Sequence, residues 1–376
     1  MEEVRLRGRS AVPVLTTAAM TASMLPLFLL GALSPALVAE FGIARPLLGV
    51  LVTAGFGVAV VLSLAIGPAV DAVGPRRSVI ALFGTSAVAL TVFATAPHYA
   101  VLVVAVALGG VPQALANPST NKLIATSVPA SRRPVVLGVK QSGVQLGAFV
   151  AGLPLAWLAE GADWRLAVGV AAALAAVAAL ACLALPGDSR PVRRPGLAVS
   201  LAAGPVIWRL AGFSVLLGSG IAAVNTYVAL YATEELGFTA PVAAGLVAVL
   251  GVVGIVSRIL WARAAGPTLL VWLSGSAVAA PVLLLTGNPA LAWAGMVVVG
   301  ACAVAANAIS MVLVVAASNG PGLGRDSALV SAGFFTGFAV GPPLFGLLVE
   351  MGGYTSAWVL VAAEFAAAAV VAWRAR

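Results

Sequence analysis

Charge is scarce in this chain. Only 9% of its 376 residues are Asp, Glu, Lys or Arg, against about 25% in an ordinary soluble domain, and 62% are hydrophobic. A water-soluble globule is excluded on that ground. The two cysteines, Cys182 and Cys302, each stand alone in an apolar run, so neither a disulfide framework nor a metal-ligand spacing is expected. His98 is the single histidine, which leaves a zinc site, a Ser-His-Asp arrangement and a Cys-His pair without their parts. No P-loop occurs. No cofactor is therefore expected, and energy must come from an ion or solute gradient or from a partner protein. Lysine is nearly missing as well: of 20 basic residues only Lys122 and Lys140 are lysines.

What the chain has is long apolar runs. A window of about 19 residues separates twelve of them, at 11–38, 46–70, 78–97, 99–126, 135–158, 164–185, 205–232, 239–262, 266–287, 289–318, 325–350 and 354–374. Each is long enough to cross a bilayer as a helix, which takes roughly 20 residues. The joints are too short for a soluble domain, so function is placed within the membrane. The first run follows Arg5, Arg7 and Arg9 and ends in SPALVAE, but it is longer than the apolar stretch of about 7 to 15 residues in a signal peptide. It is expected to be a retained membrane helix.

The arginines fall on alternate joints: Arg76 and Arg77, Arg132 and Arg133, Arg190 with Arg193 and Arg194, Arg258 with Arg263, Arg325, and Arg374 with Arg376. The opposite joints hold Arg45 and Arg165 beside Glu40, Glu160, Asp163, Glu234, Glu235 and Glu350. Positive-inside asymmetry then places both termini in the cytoplasm. The net charge of +8 is a topology signal and does not point to nucleic acid. The partners implied are the lipid bilayer and a small-molecule substrate, and a monomer is expected.

The polar stretch PGDSRPVRRPG, 186–196, divides six runs from six. It reads as a cytoplasmic linker; the division is an N-terminal bundle, 1–186, a linker, 187–204, and a C-terminal bundle, 205–376. A shift of 187 puts Gly67 on Gly254 and Arg76 on Arg263; a shift of 190 puts Asn117 on Asn307, Gly143 on Gly333 and Gly147 on Gly337. Related halves of parallel topology are expected, as in many transporters.

Residues 67–77, between the second and third runs, read GPAVDAVGPRR. Gly67, Asp71, Gly74, Arg76 and Arg77 resemble the signature of the major facilitator superfamily, G-x-x-x-D-x-x-G-x-R-R/K, in residues and in place. Glycine allows a tight turn or a positive φ there, and an acid at the membrane edge can sit against a helix N-terminus. The resemblance implies an all-α polytopic membrane protein, twelve transmembrane helices in two pseudo-symmetric six-helix bundles. It also implies that Asp71 braces the start of span eleven, near Arg325 and Asp326, as a cytoplasmic gate latch. Ala72 stands where the family often has a basic residue, and Arg258 occupies Asp71's place in the second half. The R-x-x-Q-G of many drug-proton antiporters is absent from span four, where GVPQA has Gly110 in the arginine's place and keeps Gln113. Span five carries Gly143, Gly147, Gly152 and then LP, related to the antiporter motif without matching it.

In such a fold the substrate site lies near the midplane between the halves, and polar residues within spans are candidates for it. Gln113, Asn117 and Asn121 recur every four residues and form one stripe on span four, beside Pro118, which permits a bend. They line a pathway or hydrogen-bond between helices as glue. Lys122 and Lys140 lie about 6 to 8 Å from the cytoplasmic ends of spans four and five. They either snorkel to the interface or face the cavity with Asn121, Gln141 and Gln145 and attract an anion; a desolvated lysine also exchanges its proton more readily than arginine. Asn225, Tyr227 and Tyr231 on span seven, and Asn307 with Ser310 on span ten, complete the candidate set. Glu364, the sole acid well inside a span, is expected at the structural or lipid edge of span twelve rather than as a proton carrier.

The leading expectation is a secondary transporter working by alternating access, with uptake of a small organic anion slightly ahead of export of an amphipathic metabolite or drug past an interior lined by Met20, Met24, Phe334 and Phe335. A coupling proton or other ion is a further expected partner. A non-transporting receptor would need a soluble domain or long loop, and an intramembrane enzyme would need an acid, base or metal cluster within the spans.

Overall fold

The structure, a computed structural model, describes residues 2–185, 203–261, 266–318 and 323–374. The linker stretch 186–196, with Arg190, Arg193 and Arg194, lies outside the described residues, as do Arg263 and Arg376. Among the described residues the regular structure is entirely helical. That follows from the composition, because in hydrocarbon each backbone N–H and C=O must be paired within the segment.

Spans one to six are Glu2–Ala32, Arg45–Val73, Pro75–Ala94, Tyr99–Ser127, Arg133–Val150 with its continuation to Gly161, and Trp164–Ala181. Spans seven to ten are Pro205–Glu234, Ala240–Trp261, Pro267–Ala277 with Ala279–Leu285, and Pro289–Val298 with its continuation to Ala317. The last helix, Leu323–Arg374, breaks at Gly353, whose φ of 72° only glycine adopts freely; its two arms are spans eleven and twelve. Pro46, Pro75, Pro205, Pro267 and Pro289 open their helices, where the missing N–H is not needed. Pro281 interrupts span nine, because its ring collides with the carbonyl of Ala277 four residues back. Span one stops at Ala32, and a separate short helix, Ser34–Phe41, follows, where one run to residue 38 was expected. Among the described residues, twelve crossings bring Glu2 and Arg374 out on one side, called the terminal face below.

The repeat is visible in the packing. A Cβ on Gly143 would lie 2.2 Å from the Thr17 carbonyl oxygen of span one, and a Cβ on Gly333 would lie 2.6 Å from the Ala211 carbonyl oxygen of span seven. One turn on, Gly147 meets the Thr21 carbonyl at 3.3 Å and Gly337 meets the Val215 carbonyl at 2.1 Å. Span five thus sits on span one in the register in which span eleven sits on span seven, and small residues permit both close approaches. Side chains such as Leu174, Val177 and Leu180 on span six, Ile259 and Leu260 on span eight and Trp272 on span nine are exposed. A bilayer covers such a surface; water would not tolerate it.

Candidate functional site

Toward the terminal face, spans four and five are joined by a polar node that is buried at Lys140, half-buried at Asn117 and exposed at Asn121. Span five aims Lys140 inward, and its Nζ donates to Asn117 Oδ1 at 2.9 Å and to Asn121 Oδ1 at 2.6 Å on span four. Only 1% of Lys140 is exposed, and no ion pair among the described residues includes it. The stripe on span four therefore serves span five at two of its three positions. Gln113, the third, is buried with Oε1 unpartnered. Gln145, one helical turn and a residue beyond Lys140, is buried with Oε1 unpartnered, and Gln141 Oε1 is likewise buried without a partner.

Lys122 behaves differently from Lys140. Its Nζ donates to Asp71 Oδ1 at 2.6 Å and to the Val70 carbonyl at 3.3 Å, so it closes span four onto the end of span two. The ammonium is held by the end of span two and makes no hydrogen bond to the Asn117–Lys140 node. The 67–77 motif turns at Gly74, whose φ is 97°, and Ser78 Oγ donates to the Gly74 carbonyl at 2.7 Å. Arg76 donates to the carbonyls of Cys182, at 3.3 Å, and Leu183, at 2.5 Å, at the end of span six. Asp71 was expected against the start of span eleven, but its carboxylate takes Lys122, while Asp326 is held by its neighbour Arg325 at 2.8 Å. The contacts of span two with span eleven at Gly49, Thr53 and Phe56 all fall in the half of span two remote from Asp71.

The candidates on spans seven and ten disperse. Tyr227 OH donates to the Arg45 carbonyl at 2.6 Å and Tyr231 OH to the Leu284 carbonyl at 2.5 Å, so both hydroxyls are spent on main chain. Asn225 Nδ2 donates within its own helix to Ile221, leaving Oδ1 buried and unpartnered. Ser310 Oγ donates to the Asn307 carbonyl at 2.8 Å, and Asn307 Oδ1 is buried with no partner. Glu364 is not at a lipid edge. Ser219 Oγ of span seven donates to its Oε1 at 2.5 Å, and Oε2 is buried without a partner. Span twelve comes this close because Gly220 leaves room for Phe365, where a Cβ would fall 2.5 Å from the ring. Among the described residues no group of three His, Cys, Asp or Glu side chains could hold a metal.

On the face opposite the termini the two halves are locked together. Arg45 of span two pairs with Glu234 of span seven at 3.0 Å and with Glu350 of span eleven at 3.4 Å. Tyr354 OH donates to Glu234 Oε2 at 2.7 Å, and Thr53 Oγ1 donates to the Ala339 carbonyl at 2.5 Å. Below them Phe56 packs on Phe335 and Phe338, with ring centroids 5.8 and 4.7 Å apart. The second arginine of that face, Arg165, pairs with Glu40 inside the N-terminal half. The side chains of both Arg45 pairs are 27–39% exposed, and each pair contributes about 0.2–1 kcal/mol. Arg45→Ala is therefore expected to loosen the lock several-fold without unfolding the protein, measured as faster labelling of a cysteine placed at Thr53.

Sequence reasoning missed three groups that the fold makes prominent. Arg45 lay in a joint, and nothing local signals a partner 189 residues away. Ser219 carried no signal at all. Arg258 was absorbed into the positive-inside count, yet its Nη1 donates across the halves to the Gln141 carbonyl at 3.3 Å, and its Nε is buried without a partner. Its position inside an apolar run, some four residues before the end, was the available hint.

Comparison with known proteins places this architecture. The structure superposes on a bacterial homologue of the human lysosomal transporter Spinster, solved in an inward-facing, occupied conformation, with a TM-score of 0.78 over 98% of this chain and 96% of that one at 15% identity. The inward-facing, unoccupied form of a Spinster homologue gives a TM-score of 0.74 over 98% and 95% at 16% identity. At such identities the likeness is one of fold. A gallate transporter of Pseudomonas putida is 28% identical over 138 residues, which are 36% of this chain and 30% of that relative's length. The family model of the Major Facilitator Superfamily matches residues 15–319. With twelve apolar helices, two halves in matching register and that match over most of its length, the chain belongs to the Major Facilitator Superfamily.

Proposed function

We propose that the protein is a secondary transporter that takes up a small organic anion by alternating access, residues 1–186 and 205–376 rocking about a site between them. The observation that carries this is Lys140, a cation 1% exposed, bonded to two amide oxygens and to no acid. An ammonium withdrawn from water without a counter-charge is unfavourable, and an anion entering beside it removes that penalty. Asn117, Asn121, Gln113 and Gln145 then line the approach. The arginine asymmetry supports a cytoplasmic terminal face, and the lock on the opposite face supports an inward-opening conformation. In it Asp71 rests on Lys122; in the alternate state Asp71 engages the start of span eleven. The Pseudomonas putida relative supports the substrate class, since gallate is a hydroxylated benzoate anion.

The deciding experiment is uptake of radiolabelled gallate into proteoliposomes, with and without a pH gradient, beside an uncharged phenol such as pyrogallol. Saturable uptake of the carboxylate and none of the phenol is expected. Folded protein that moves pyrogallol as well as gallate, or that moves no carboxylate, refutes the reading.

A further inference from the structure

Arg258 makes one hydrogen bond across the halves and keeps a buried donor that this contact does not use. It lies on span eight, one turn nearer the terminal face than Gly254, and spans the junction of the halves to reach the Gln141 carbonyl of span five. No ion pair among the described residues includes it, and its Nε is buried without a partner. Three amide oxygens around the same junction are also buried and unpartnered, those of Gln141, Gln145 and Asn307. Their proximity follows from the packing. Gly254 leaves space for Gln145, since a Cβ there would lie 3.1 Å from Gln145 Cδ and 3.2 Å from Val304 of span ten. Ser257 Oγ donates to the Gly300 carbonyl at 2.8 Å, fixing spans eight and ten side by side. One turn toward the terminal face from Gln145, Gly254 and Val304 come Gln141, Arg258 and Asn307.

The symmetry of the halves sharpens the point. In the first half Asp71 and Lys122 neutralise each other at 2.6 Å. The 187-residue shift puts Arg258 in the place of Asp71, and the 190-residue shift puts Val312 in the place of Lys122. An ion pair in one half is answered in the other by a lone guanidinium turned toward the junction.

We infer that Arg258, with Gln141, Gln145 and Asn307, binds a hydroxylated organic carboxylate at the junction of the halves, the guanidinium taking the carboxylate and the amide oxygens taking the hydroxyls. The chemistry divides accordingly. A guanidinium presents a planar fork of N–H donors that matches a carboxylate in two parallel hydrogen bonds. An amide oxygen only accepts, so three of them beside a cation match a ligand that carries hydroxyl donors as well as negative charge. Buried polar groups without partners are uncommon in a finished structure, and four at one junction are satisfied together by such a ligand. This assignment rests on the anion-uptake reading above and adds to it the group that holds the carboxylate.

The test is binding to purified protein in nanodiscs, by calorimetry, with gallate and unsubstituted benzoate as probes. Wild type is expected to bind gallate more tightly than benzoate. Arg258→Gln is expected to weaken gallate roughly thirtyfold or more, with Arg258→Lys between the two. Gln145→Leu is expected to remove most of the preference for gallate over benzoate, about tenfold, because a site that loses a hydroxyl acceptor loses that discrimination. Should Arg258→Gln fail size exclusion as a folded monodisperse species, Arg258→Lys and Gln145→Leu carry the test. Wild-type binding that survives Arg258→Gln or Arg258→Lys undiminished overturns the site alone. A gallate preference that survives Gln145→Leu overturns the hydroxyl assignment. Wild-type protein that binds neither probe overturns the anion reading and this site with it.

Discussion

Gly49→Ala is expected to hold the protein open on the face opposite the termini. A Cβ at Gly49 would lie 2.4 Å from Pro343 N and 2.5 Å from Pro342 C and Pro343 Cα. All three are backbone atoms of two successive prolines in span eleven, so no side chain can rotate away. Overpacking by one methyl group costs typically 1–3 kcal/mol, which moves an equilibrium between two states about 5- to 150-fold. The methyl clashes only when spans two and eleven meet, so the cost falls on the closed arrangement and spares the halves themselves. A cysteine at Thr53, in a Cys302→Ala background, reports the change. Thr53 lies one turn deeper than Gly49 and donates to the Ala339 carbonyl across the closed interface. An impermeant maleimide is expected to label it slowly in the parent and faster by that factor with Gly49→Ala added, while gallate uptake falls at least in proportion. Equal labelling in the two proteins would show that spans two and eleven do not close through Gly49.

The spans were legible because hydropathy alone decides them: twelve apolar runs became twelve crossings, and even the break between the last two sits at a glycine with positive φ, Gly353. The repeat was only faintly legible. Glycines are common here, so a match of Gly143 with Gly333 means little until the partners are known; Thr17 and Ala211, Thr21 and Val215 supply them. Side-chain direction was not legible. Lys122 and Lys140 have the same depth and the same chemistry, yet one binds Asp71 and the other binds Asn117 and Asn121, because the rotation of each helix about its axis is set by its neighbours rather than by its composition. Glu364 shows the same limit. An acid in a peripheral span reads as a lipid-edge group until Gly220 is seen to admit Phe365 and bring span twelve onto Ser219. Pairings across the halves, Arg45 with Glu234 and Glu350 and Arg258 with Gln141, depend on closure of the whole molecule and leave no local trace.

Lys140 invites the opposite interpretation, that it is a clamp between spans four and five and has nothing to do with substrate, and a set of three variants separates the two. In Lys140→Met the ammonium is lost and the amide oxygens of Asn117 and Asn121 lose a donor. A buried acceptor left unpaired costs about 1–3 kcal/mol, and less where water reaches it; Asn117 is half-buried and Asn121 exposed, so this variant is expected to melt modestly below wild type and to lose anion uptake, an outcome both interpretations share. Asn117→Leu with Asn121→Leu added to Lys140→Met removes the stranded oxygens as well. Replacing both sides of a buried polar contact by apolar groups of similar shape is nearly neutral, so the triple variant is expected to regain most of the lost stability. What it does not regain is charge. If the cation draws the anion in, uptake stays at least tenfold below wild type in a protein that melts like wild type. The third variant, Lys140→Arg, keeps the charge and alters the fit, since a guanidinium is bulkier than an ammonium and has a fixed fork. It is expected to retain part of the uptake despite lower stability. Stability and transport thus move apart in opposite directions in the triple and the arginine variants. Recovery of uptake together with stability in the triple variant would make Lys140 a clamp and leave Arg258 as the sole cation to argue for an anionic substrate.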